Sequence, residues 1–169
     1  MIPSPRHLHL LRHAKSSWDD HGLADHDRPL APRGRHAAAR IGRHLREAGV
    51  APALILCSSA RRAQETLALL ELAAPVDIER ELYGASTREL LERMRRVPAE
   101  LPSLLVIGHN PELESLALEL AAEGPLRTQL YAKFPTGALA TLEFDGRWST
   151  LGFGAATLAA FVRPRELED

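Results

Sequence analysis

Three short polar stretches each follow an apolar run in this sequence, and together they could act on a phosphate group. They are Arg12-His13 after HLHLL, residues 58–62 (SSARR) after ALILC, and Gly108-His109-Asn110 at the end of LLVIGHN. Arginine guanidinium groups donate paired hydrogen bonds that match phosphate oxygens. A neutral imidazole beside them can attack phosphorus while the arginines stabilise charge on the transferring group. These residue types therefore predict a phosphate site that carries its own candidate nucleophile.

The order of the surrounding elements predicts that the three stretches meet. The apolar runs at residues 7–11, 53–57 and 104–108 are typical of buried strands, and a helical pattern follows each within a few residues. Repeated strand-helix units favour a mainly parallel sheet. The carboxyl ends of parallel strands share one edge of a sheet, where open α/β folds bind their ligands. Free N–H groups at the starts of the helices would add to the attraction for an anion there.

The remaining patterns complete the expected architecture. Helices are expected from Pro32 to about Ala48, from a Ser59 N-cap to about Leu70, from Thr87 to Val97, and after an Asn110 N-cap. The stretch ALATLEFDGRWSTLGF predicts an antiparallel hairpin turning at Asp145-Gly146 and lying at one sheet edge. The last residues, RPRELED, are expected to form a solvated tail. The predicted fold class is α/β, a three-layer α/β/α arrangement with a mainly parallel central sheet and an antiparallel edge hairpin.

Composition sets limits on the class of protein. A chain of 169 residues with ordinary hydrophobic and charged fractions suits one domain, residues 1–169. The formal net charge of -1 gives no general attraction to nucleic acid or anionic lipid, so neither partner is expected. The apolar stretch near the N-terminus is too short for a signal peptide or a membrane span. Cys57 is the only cysteine, which is compatible with a reducing compartment, and a cytoplasmic protein is expected.

Nucleotide and metal sites are not indicated. The sequence has no Gly-rich P-loop and no GxGxxG, so nucleotide binding through those loops is not expected. His7 and His9 share a strand face with His13, and His36 and His44 are eight residues apart on a helix. No HExxH, paired CxxC or carboxylate triad accompanies these histidines. We therefore expect no structural metal site at these histidines.

Taken together, the motifs resemble those of the histidine phosphatase superfamily, whose fold is phosphoglycerate-mutase-like. LLRHAKSSW with Asp19 is similar to the RHGxSxWN signature, with Ala14 where glycine is commoner and Asp19 at the usual asparagine position. SSARRAQETL resembles the SxxxRAxxT segment, and VIGHN resembles the second-histidine segment. The stretches at 25–34 (DHDRPLAPRG) and 134–144 (FPTGALATLEF) are closer to small phosphohistidine phosphatases of the SixA type. The match extends over about residues 6–154.

The resemblance implies a role for four residues. His13 would be the nucleophile that becomes phosphorylated, and Arg12 and Arg62 would clamp the phosphate. Arg62 is chosen over Arg61 because it stands directly before the alanine of the RAxxT pattern. His109 would bind and stabilise the phosphoryl group in the pocket. The resemblance implies no metal and no cofactor.

The substrate side of the site is less defined. Ser16, Asp19 and the Thr136-Gly137 loop are candidates for the pocket rim, with Ser16 and Asp19 as substrate-binding residues. Many phosphomonoesterases and mutases of the superfamily use a glutamate to protonate an alkoxide leaving group. The VDIERELYGAS stretch offers Glu79 or Glu81, and no motif selects either. An imidazole leaves readily once protonated, so a missing acid fits phosphohistidine better than a sugar phosphate.

The sequence therefore predicts a metal-independent phosphatase that hydrolyses phosphohistidine on proteins through a covalent phosphohistidine at His13. Its partner would be a phosphorylated protein, with a role in signal transduction. One alternative is a phosphomonoesterase of the same superfamily acting on a small phosphorylated substrate. A second alternative is a phosphate or phosphopeptide binding module without turnover.

Overall fold

A six-stranded sheet forms the centre of the structure, a computed structural model that describes residues 4–169. The strands are β1 (Arg6–Arg12), β2 (Leu54–Ser58), β3 (Val76–Glu79), β4 (Ser103–Gly108), β5 (Leu139–Phe144) and β6 (Thr157–Val162). Their order across the sheet is β3-β2-β4-β1-β5-β6. The first four of these strands run parallel, while β5 is antiparallel to both β1 and β6. The predicted mainly parallel sheet is confirmed.

Helices cover both faces of the sheet. They are α1 (Pro32–Glu47), α2 (Arg61–Leu70), α3 (Thr87–Arg95), α4 (Glu112–Leu120) and α5 (Pro125–Ala132). Side chains of α1 and α2 pack with one face of the sheet, and those of α3, α4 and α5 pack with the other. Short 3-10 helices lie at Asp25–Asp27, Arg80–Leu82, Trp148–Thr150 and Pro164–Glu166. The three-layer α/β/α fold class is confirmed.

The strands divide their side chains between the two cores. Successive residues of a strand point to opposite faces, so Leu10 belongs to the core under α3 to α5 while Leu11 belongs to the core under α1 and α2. Both leucines are fully buried. A strand buried on both faces has an almost continuous apolar sequence, which is why β1, β2 and β4 could be recognised.

The predicted hairpin is wrong in its second strand. The antiparallel partner of β5 is β6, Thr157–Val162, and not the WSTLGF segment. Trp148 is fully buried, its ring packs edge-on against Phe144 with centroids 4.9 Å apart, and its Nε1 donates to the Leu101 carbonyl at 2.7 Å. Because this ring is buried so soon after β5 ends, the chain turns inward there and returns to the sheet edge only later.

The predicted Ser59 N-cap is also wrong. The N-cap residue of α2 is Ala60, and no side chain caps this helix. The Ser59 N–H donates to the Glu79 carbonyl at 3.2 Å, which continues the pairing between β2 and β3 by one residue. Ser59 thus still belongs to the sheet edge, and its Oγ contacts His26 Nε2 at 2.8 Å instead.

The end of the chain is packed where a solvated tail was expected. Pro164 is buried at the start of the last 3-10 helix, and Leu167 packs with the core under α1 and α2. The predicted Asn110 N-cap is displaced by one residue, since the N-cap residue of α4 is Pro111. Asn110 still binds the first turn of the helix. Its Oδ1 accepts from the Glu114 N–H at 3.2 Å, although α4 itself begins at Glu112.

Helix α1 lies very close to the chain that follows β1. A Cβ added to Gly34 would lie 2.1 Å from the Lys15 carbonyl oxygen and 2.9 Å from the Lys15 nitrogen. The same carbonyl accepts from the Ala31 N–H at 2.8 Å. The start of α1 therefore holds the Lys15 backbone directly, two residues beyond His13.

We expect Gly34→Ala to destabilise the fold, because the new methyl group forces the helix and the Lys15 backbone apart. Overpacking of this kind lowers the free energy of unfolding by about 1–3 kcal/mol, measurable by urea denaturation. The control is Gly124→Ala, since a Cβ there meets nothing within 4 Å and the φ of 172° is extended backbone. A Gly34→Ala protein as stable as the control would contradict the close contact.

Candidate active site

The sheet order brings the three polar stretches to one edge. Strands β2, β4 and β1 are neighbours, and their carboxyl ends lead into Ser58, His109 and Arg12-His13. Arg12 pairs with Gly108 in the sheet, and the His13 N–H donates to the Gly108 carbonyl at 3.0 Å. The rings of His13 and His109 are 5.1 Å apart between centroids, at 54°.

The His13 ring is held in one orientation. Its Nδ1 lies 2.7 Å from the Ala14 carbonyl oxygen. A carbonyl can only accept, so Nδ1 carries the proton and Nε2 carries the lone pair. The Nε of Arg62 donates to that Nε2 at 3.3 Å. The Ala14 N–H donates to Thr66 Oγ1 at 3.1 Å, which fixes the carbonyl that orients the ring.

The surroundings keep His13 neutral. The residue is only 7% exposed, and burial, reinforced by His109, Arg62 and Arg12, lowers its pKa from 6.5 to about 3. The hydrogen bond to Ala14 opposes this shift and does not overcome it. At neutral pH the ring therefore presents an unprotonated nitrogen to the arginines, as a nucleophile requires.

Arg62 is anchored by Asp25. Its Nη1 donates to the Asp25 carbonyl at 2.8 Å and its Nη2 to Asp25 Oδ2 at 3.1 Å. The same carboxylate accepts from the Tyr83 hydroxyl at 2.6 Å and from Arg28 Nη1 at 3.1 Å. These bonds, with Tyr83 first, lower the pKa of Asp25 to about 2. The neighbouring Arg61 has a half-exposed side chain that faces Glu65 at 3.6 Å.

Arg12 has a nitrogen without an internal partner. Its Nη1 donates to the Phe134 carbonyl at 3.0 Å, and Asn110 Nδ2 donates to the same oxygen at 3.0 Å. The Arg12 Nε is buried and has no acceptor within residues 4–169. Burial lowers the pKa of this guanidinium, but arginine stays charged in proteins. A buried, charged donor of this kind is suited to an oxyanion.

His109 supplies a second neutral ring. Its Nε2 lies 2.7 Å from Ser58 Oγ, and that fully buried hydroxyl also accepts from the Ala60 N–H at 3.2 Å. Burial first, and then Arg62, lower the pKa of His109 to about 4. The Tyr83 ring packs edge-on against it with centroids 5.6 Å apart. The arrangement can thus hold an anion between two arginines and two oriented imidazoles.

Sequence reasoning did not single out three residues of this arrangement. Asp25 lies within the DHDRPLAPRG stretch and Ser58 within SSARR, and neither residue was assigned a role by its motif. Tyr83 follows the short 3-10 helix after β3, and no pattern in the sequence marks it. All three act through hydrogen bonds to residues far away along the chain.

The predicted rim residues Ser16 and Asp19 hydrogen-bond to residues outside the cluster of arginines and histidines. Ser16 is buried, and its Oγ accepts from Arg28 Nη2 at 2.6 Å. Asp19 is exposed, and its backbone N–H donates to Ser17 Oγ at 3.1 Å. Neither hydrogen-bonds to the arginines or histidines of the site within the part of the chain described. Gly137 is closer, since its N–H donates to the carbonyls of both Arg12 and His13 at 3.0 Å.

Neither candidate proton donor contacts the site. Glu79 is mostly buried and is bound by Arg93, with Nε–Oε2 at 2.9 Å and Nη2–Oε1 at 2.6 Å. Glu81 is exposed and lines a separate surface cavity beside α3.

Among residues 4–169, no group of three or more histidine, cysteine or acidic side chains could hold a metal ion. No helix in that range is long and apolar enough to cross a bilayer.

Comparison with known proteins identifies relatives along the whole chain. The family model for branch 1 of the histidine phosphatase superfamily matches residues 8–83. An uncharacterized protein of Mycobacterium tuberculosis is 41% identical over 159 residues, which cover 92% of this chain and 100% of that protein. A solved structure from Nakamurella multipartitia, named as a candidate phosphohistidine phosphatase SixA, is 33% identical with a TM-score of 0.88, covering 97% and 99% of the two chains. One of the same name from Agrobacterium tumefaciens is 28% identical with a TM-score of 0.82, covering 96% and 100%.

We expect acid to destabilise the folded protein below about pH 6.5. The pKa values of His9, His13 and His109 are lowered in the folded state to about 4, 3 and 4, against 6.5 in an unfolded chain. As the pH falls through 6.5, the unfolded chain therefore binds protons that the folded protein does not, and stability is lost progressively down to about pH 4. Each histidine contributes a slope of at most about 1.4 kcal/mol per pH unit.

Urea denaturation at several pH values between about 7 and about 5 measures that slope. A His13→Gln variant lacks one of the three groups, so the slope should fall by up to about a third. An unchanged slope in this variant would mean that His13 takes up its proton over the same pH range in the folded and unfolded protein, so that its pKa is not lowered by folding.

Proposed function

This chain belongs to the histidine phosphatase superfamily, and we propose that it hydrolyses phosphohistidine on proteins, without a metal, through a covalent phosphohistidine at His13. One observation carries the proposal. The Nε2 of His13 is unprotonated and oriented by the Ala14 carbonyl, and it faces Arg62 inside a buried cationic site. An imidazole prepared in this way is a nucleophile for phosphorus.

In the first step the Nε2 lone pair attacks phosphorus, and the bond from phosphorus to the substrate nitrogen breaks. The electron pair of that bond leaves with the substrate imidazole. Arg12 and Arg62 stabilise the charge on the oxygens of the transferring group. The Nδ1 proton remains hydrogen-bonded to the Ala14 carbonyl, which stabilises the positive charge that develops on the His13 ring.

The chemistry of the leaving group supports phosphohistidine as the substrate. An alkoxide must be protonated by a positioned acid as it leaves, and neither Asp25 nor Glu79 is suited to that task. Asp25, with a pKa of about 2, is ionised at neutral pH, and Glu79 is bound by Arg93. A substrate imidazole needs only a proton from solvent to leave as a neutral ring. This argues against an alkyl phosphate ester, the substrate of the phosphomonoesterase alternative.

In the second step water attacks the phosphohistidine, inorganic phosphate leaves and His13 regains its lone pair. His109 supports the phosphoryl group through both steps, because a neutral imidazole always keeps one N–H donor. Its orientation depends on Ser58 and Tyr83. With a nucleophile present beside two clamps, turnover is favoured over a module that only binds phosphate.

Short connections at this sheet edge favour a protein as the substrate. Only residues 59–60 connect β2 to α2, and only residues 109–111 connect β4 to α4. Neither of these two connections is long enough to cover the site. The longer connection from β1 to α1, residues 13–31, reaches the site at Asp25, which accepts hydrogen bonds from Arg62. The two short connections leave a side from which a histidine on the surface of another protein can approach. The proposal includes a cytoplasmic location, which fits a single, buried and unpaired cysteine, Cys57. It also includes a role in signal transduction, as expected of an enzyme that removes phosphate from a phosphorylated protein.

We expect a phosphoenzyme to form on His13. The protein is mixed with labelled phosphoramidate in the presence of a chelator, quenched rapidly in alkali and mapped by mass spectrometry. The label should lie on His13, survive alkali and be lost in acid, as a phosphoramidate bond does. Label retained by a His13→Ala protein would contradict the assignment of the nucleophile.

The neighbouring residues Arg62 and Arg61 provide a test variant and a matched control for the role of Arg62 in binding the phosphate. Arg62→Ala should slow phosphoenzyme formation by about 10²–10³, the usual cost of losing one preorganised donor. Arg61→Ala should change the rate by less than about twofold, because that side chain is half-exposed and pairs only with Glu65 within the described chain. Rapid-quench measurement of both rates decides the point, and equal effects would remove Arg62 from the clamp.

A further inference from the structure

A strongly basic concave surface adjoins the active site. We call it the basic groove, and it has a cavity volume of about 330 Å³. Its lining residues are Lys15, Arg33, Ala37, Arg40, Pro135, Thr136, Arg163, Pro164 and Arg165. Five of these nine carry a positive charge and none is acidic. In a chain whose formal net charge is -1, this is a local concentration of positive charge.

Much of this charge is not neutralised internally. Arg163 pairs with Glu166, with Nε–Oε1 at 2.8 Å, and Arg40 lies 3.4 Å from the Asp169 carboxylate. Lys15, Arg33 and Arg165 have no ion-pair partner within residues 4–169. Arg165 is partly offset by the nearby Glu166, whose pKa its charge helps to lower. Lys15 and Arg33, with the remaining charge of Arg165, still give this concave surface a positive potential that attracts an anionic partner.

Two backbone segments that line the basic groove adjoin His13. Lys15 is two residues after His13, so their Cα atoms are at most about 7.6 Å apart, twice the spacing of consecutive Cα atoms. On the other side, Thr136 is followed by Gly137, whose N–H donates to the carbonyls of Arg12 and His13 at 3.0 Å. Two walls of the groove are thus formed by segments that adjoin His13, one along the chain and one through backbone hydrogen bonds.

The backbone on both sides of the groove is closely packed. The start of α1 presses on the Lys15 backbone at Gly34, where a Cβ would lie 2.1 Å from the Lys15 oxygen. Gly137 has a φ of +77°, and a Cβ there would lie 2.9 Å from Pro164 Cγ. The two walls are therefore closely packed, and a ligand would lose little free energy in ordering them.

We propose that the basic groove binds an acidic segment of the phosphorylated partner protein, close to its phosphohistidine. This rests on the proposed function and adds the chemistry of the sequence that is recognised. Guanidinium groups pair with carboxylates through two parallel hydrogen bonds. The groove has no aromatic lining residue on which nucleic acid bases could stack, and no large apolar side chain to insert into a bilayer.

Two phosphohistidine peptides of equal length test the proposal, one with glutamates on both sides of the phosphohistidine and one with glutamines in their place. We expect kcat/KM to be roughly tenfold higher for the glutamate peptide, because a few exposed ion pairs together have about that effect. The preference should shrink at high salt, which screens exposed charges. Equal kcat/KM for the two peptides would overturn the proposal.

The variant Arg33→Glu/Arg165→Glu reverses two exposed charges of the groove outside the catalytic pocket. It should remove the preference while leaving kcat/KM for the glutamine peptide within about twofold. The control, Arg96→Glu/Arg147→Glu, makes the same change in charge at two exposed positions outside the groove. Loss of the preference in the control as well would mean that overall charge, and not the groove, produces it. Circular dichroism melting checks that both variants fold.

Failure of the proposed function is distinguished by a binding measurement. The unphosphorylated glutamate peptide, with a fluorescent label, should bind the wild type by anisotropy and bind Arg33→Glu/Arg165→Glu at least about fivefold more weakly. Such binding without turnover of either phosphopeptide would retain the groove and reject the phosphohistidine substrate. If a single-stranded oligonucleotide or anionic vesicles displaced the peptide at lower concentration than the unlabelled peptide itself, the groove would not be a site for acidic protein segments.

Discussion

The hydrogen bond from His13 Nδ1 to the Ala14 carbonyl, 2.7 Å long, sets the orientation of the ring around which the site is built. The carbonyl keeps its own place because the Ala14 N–H donates to Thr66 Oγ1, at 3.1 Å. The Thr66 hydroxyl in turn donates to the Arg62 carbonyl at 2.7 Å. His13 and α2, the helix that carries Arg62, are therefore joined by consecutive hydrogen bonds. These bonds fix the position of the His13 lone pair relative to the Arg62 guanidinium.

Burial of the side chains beside two arginines determines which groups of this site are charged. Burial is the main reason that the pKa values of His13 and His109 are lowered to about 3 and 4, and the positive charges of Arg12 and Arg62 lower them further, so both rings stay neutral. Asp25 offsets part of the charge, since a buried arginine needs a partner that is ionised under the same conditions. Tyr83 and Arg28 keep that carboxylate ionised down to low pH. The same arrangement that activates His13 thus also excludes Asp25 as a general acid.

Local sequence patterns were enough to predict most of the fold and the central residues of the site. Strands β1, β2 and β4 are continuous apolar runs, so the meeting of Arg12-His13 with His109 followed from parallel topology alone. β3 was missed because Val76 and Ile78 are exposed, and an exposed edge strand has no buried run to reveal it. β6 was missed because the burial of Trp148 is a tertiary effect that local turn preferences do not contain.

The supporting residues of the site could not be read from the sequence for a related reason. Asp25 and Tyr83 are 58 residues apart and meet only after folding. Each lies in or beside a short 3-10 helix, where no periodic pattern shows which way a side chain points. The family resemblance named the residues that we propose for the chemistry, whereas the residues that orient them depend on the packing of this particular chain.

We propose metal-independent turnover of phosphohistidine at a site where neither Asp25 nor Glu79 can serve as the general acid. The most direct measurement compares kcat/KM for phosphohistidine and for a simple alkyl phosphate ester in the presence of EDTA. We predict that phosphohistidine is turned over at least about 10²-fold more efficiently, since an ester without a positioned acid forgoes about that factor. The account would be contradicted if EDTA abolished turnover of phosphohistidine, or if the ester were preferred and Glu79→Gln or Glu81→Gln removed that preference.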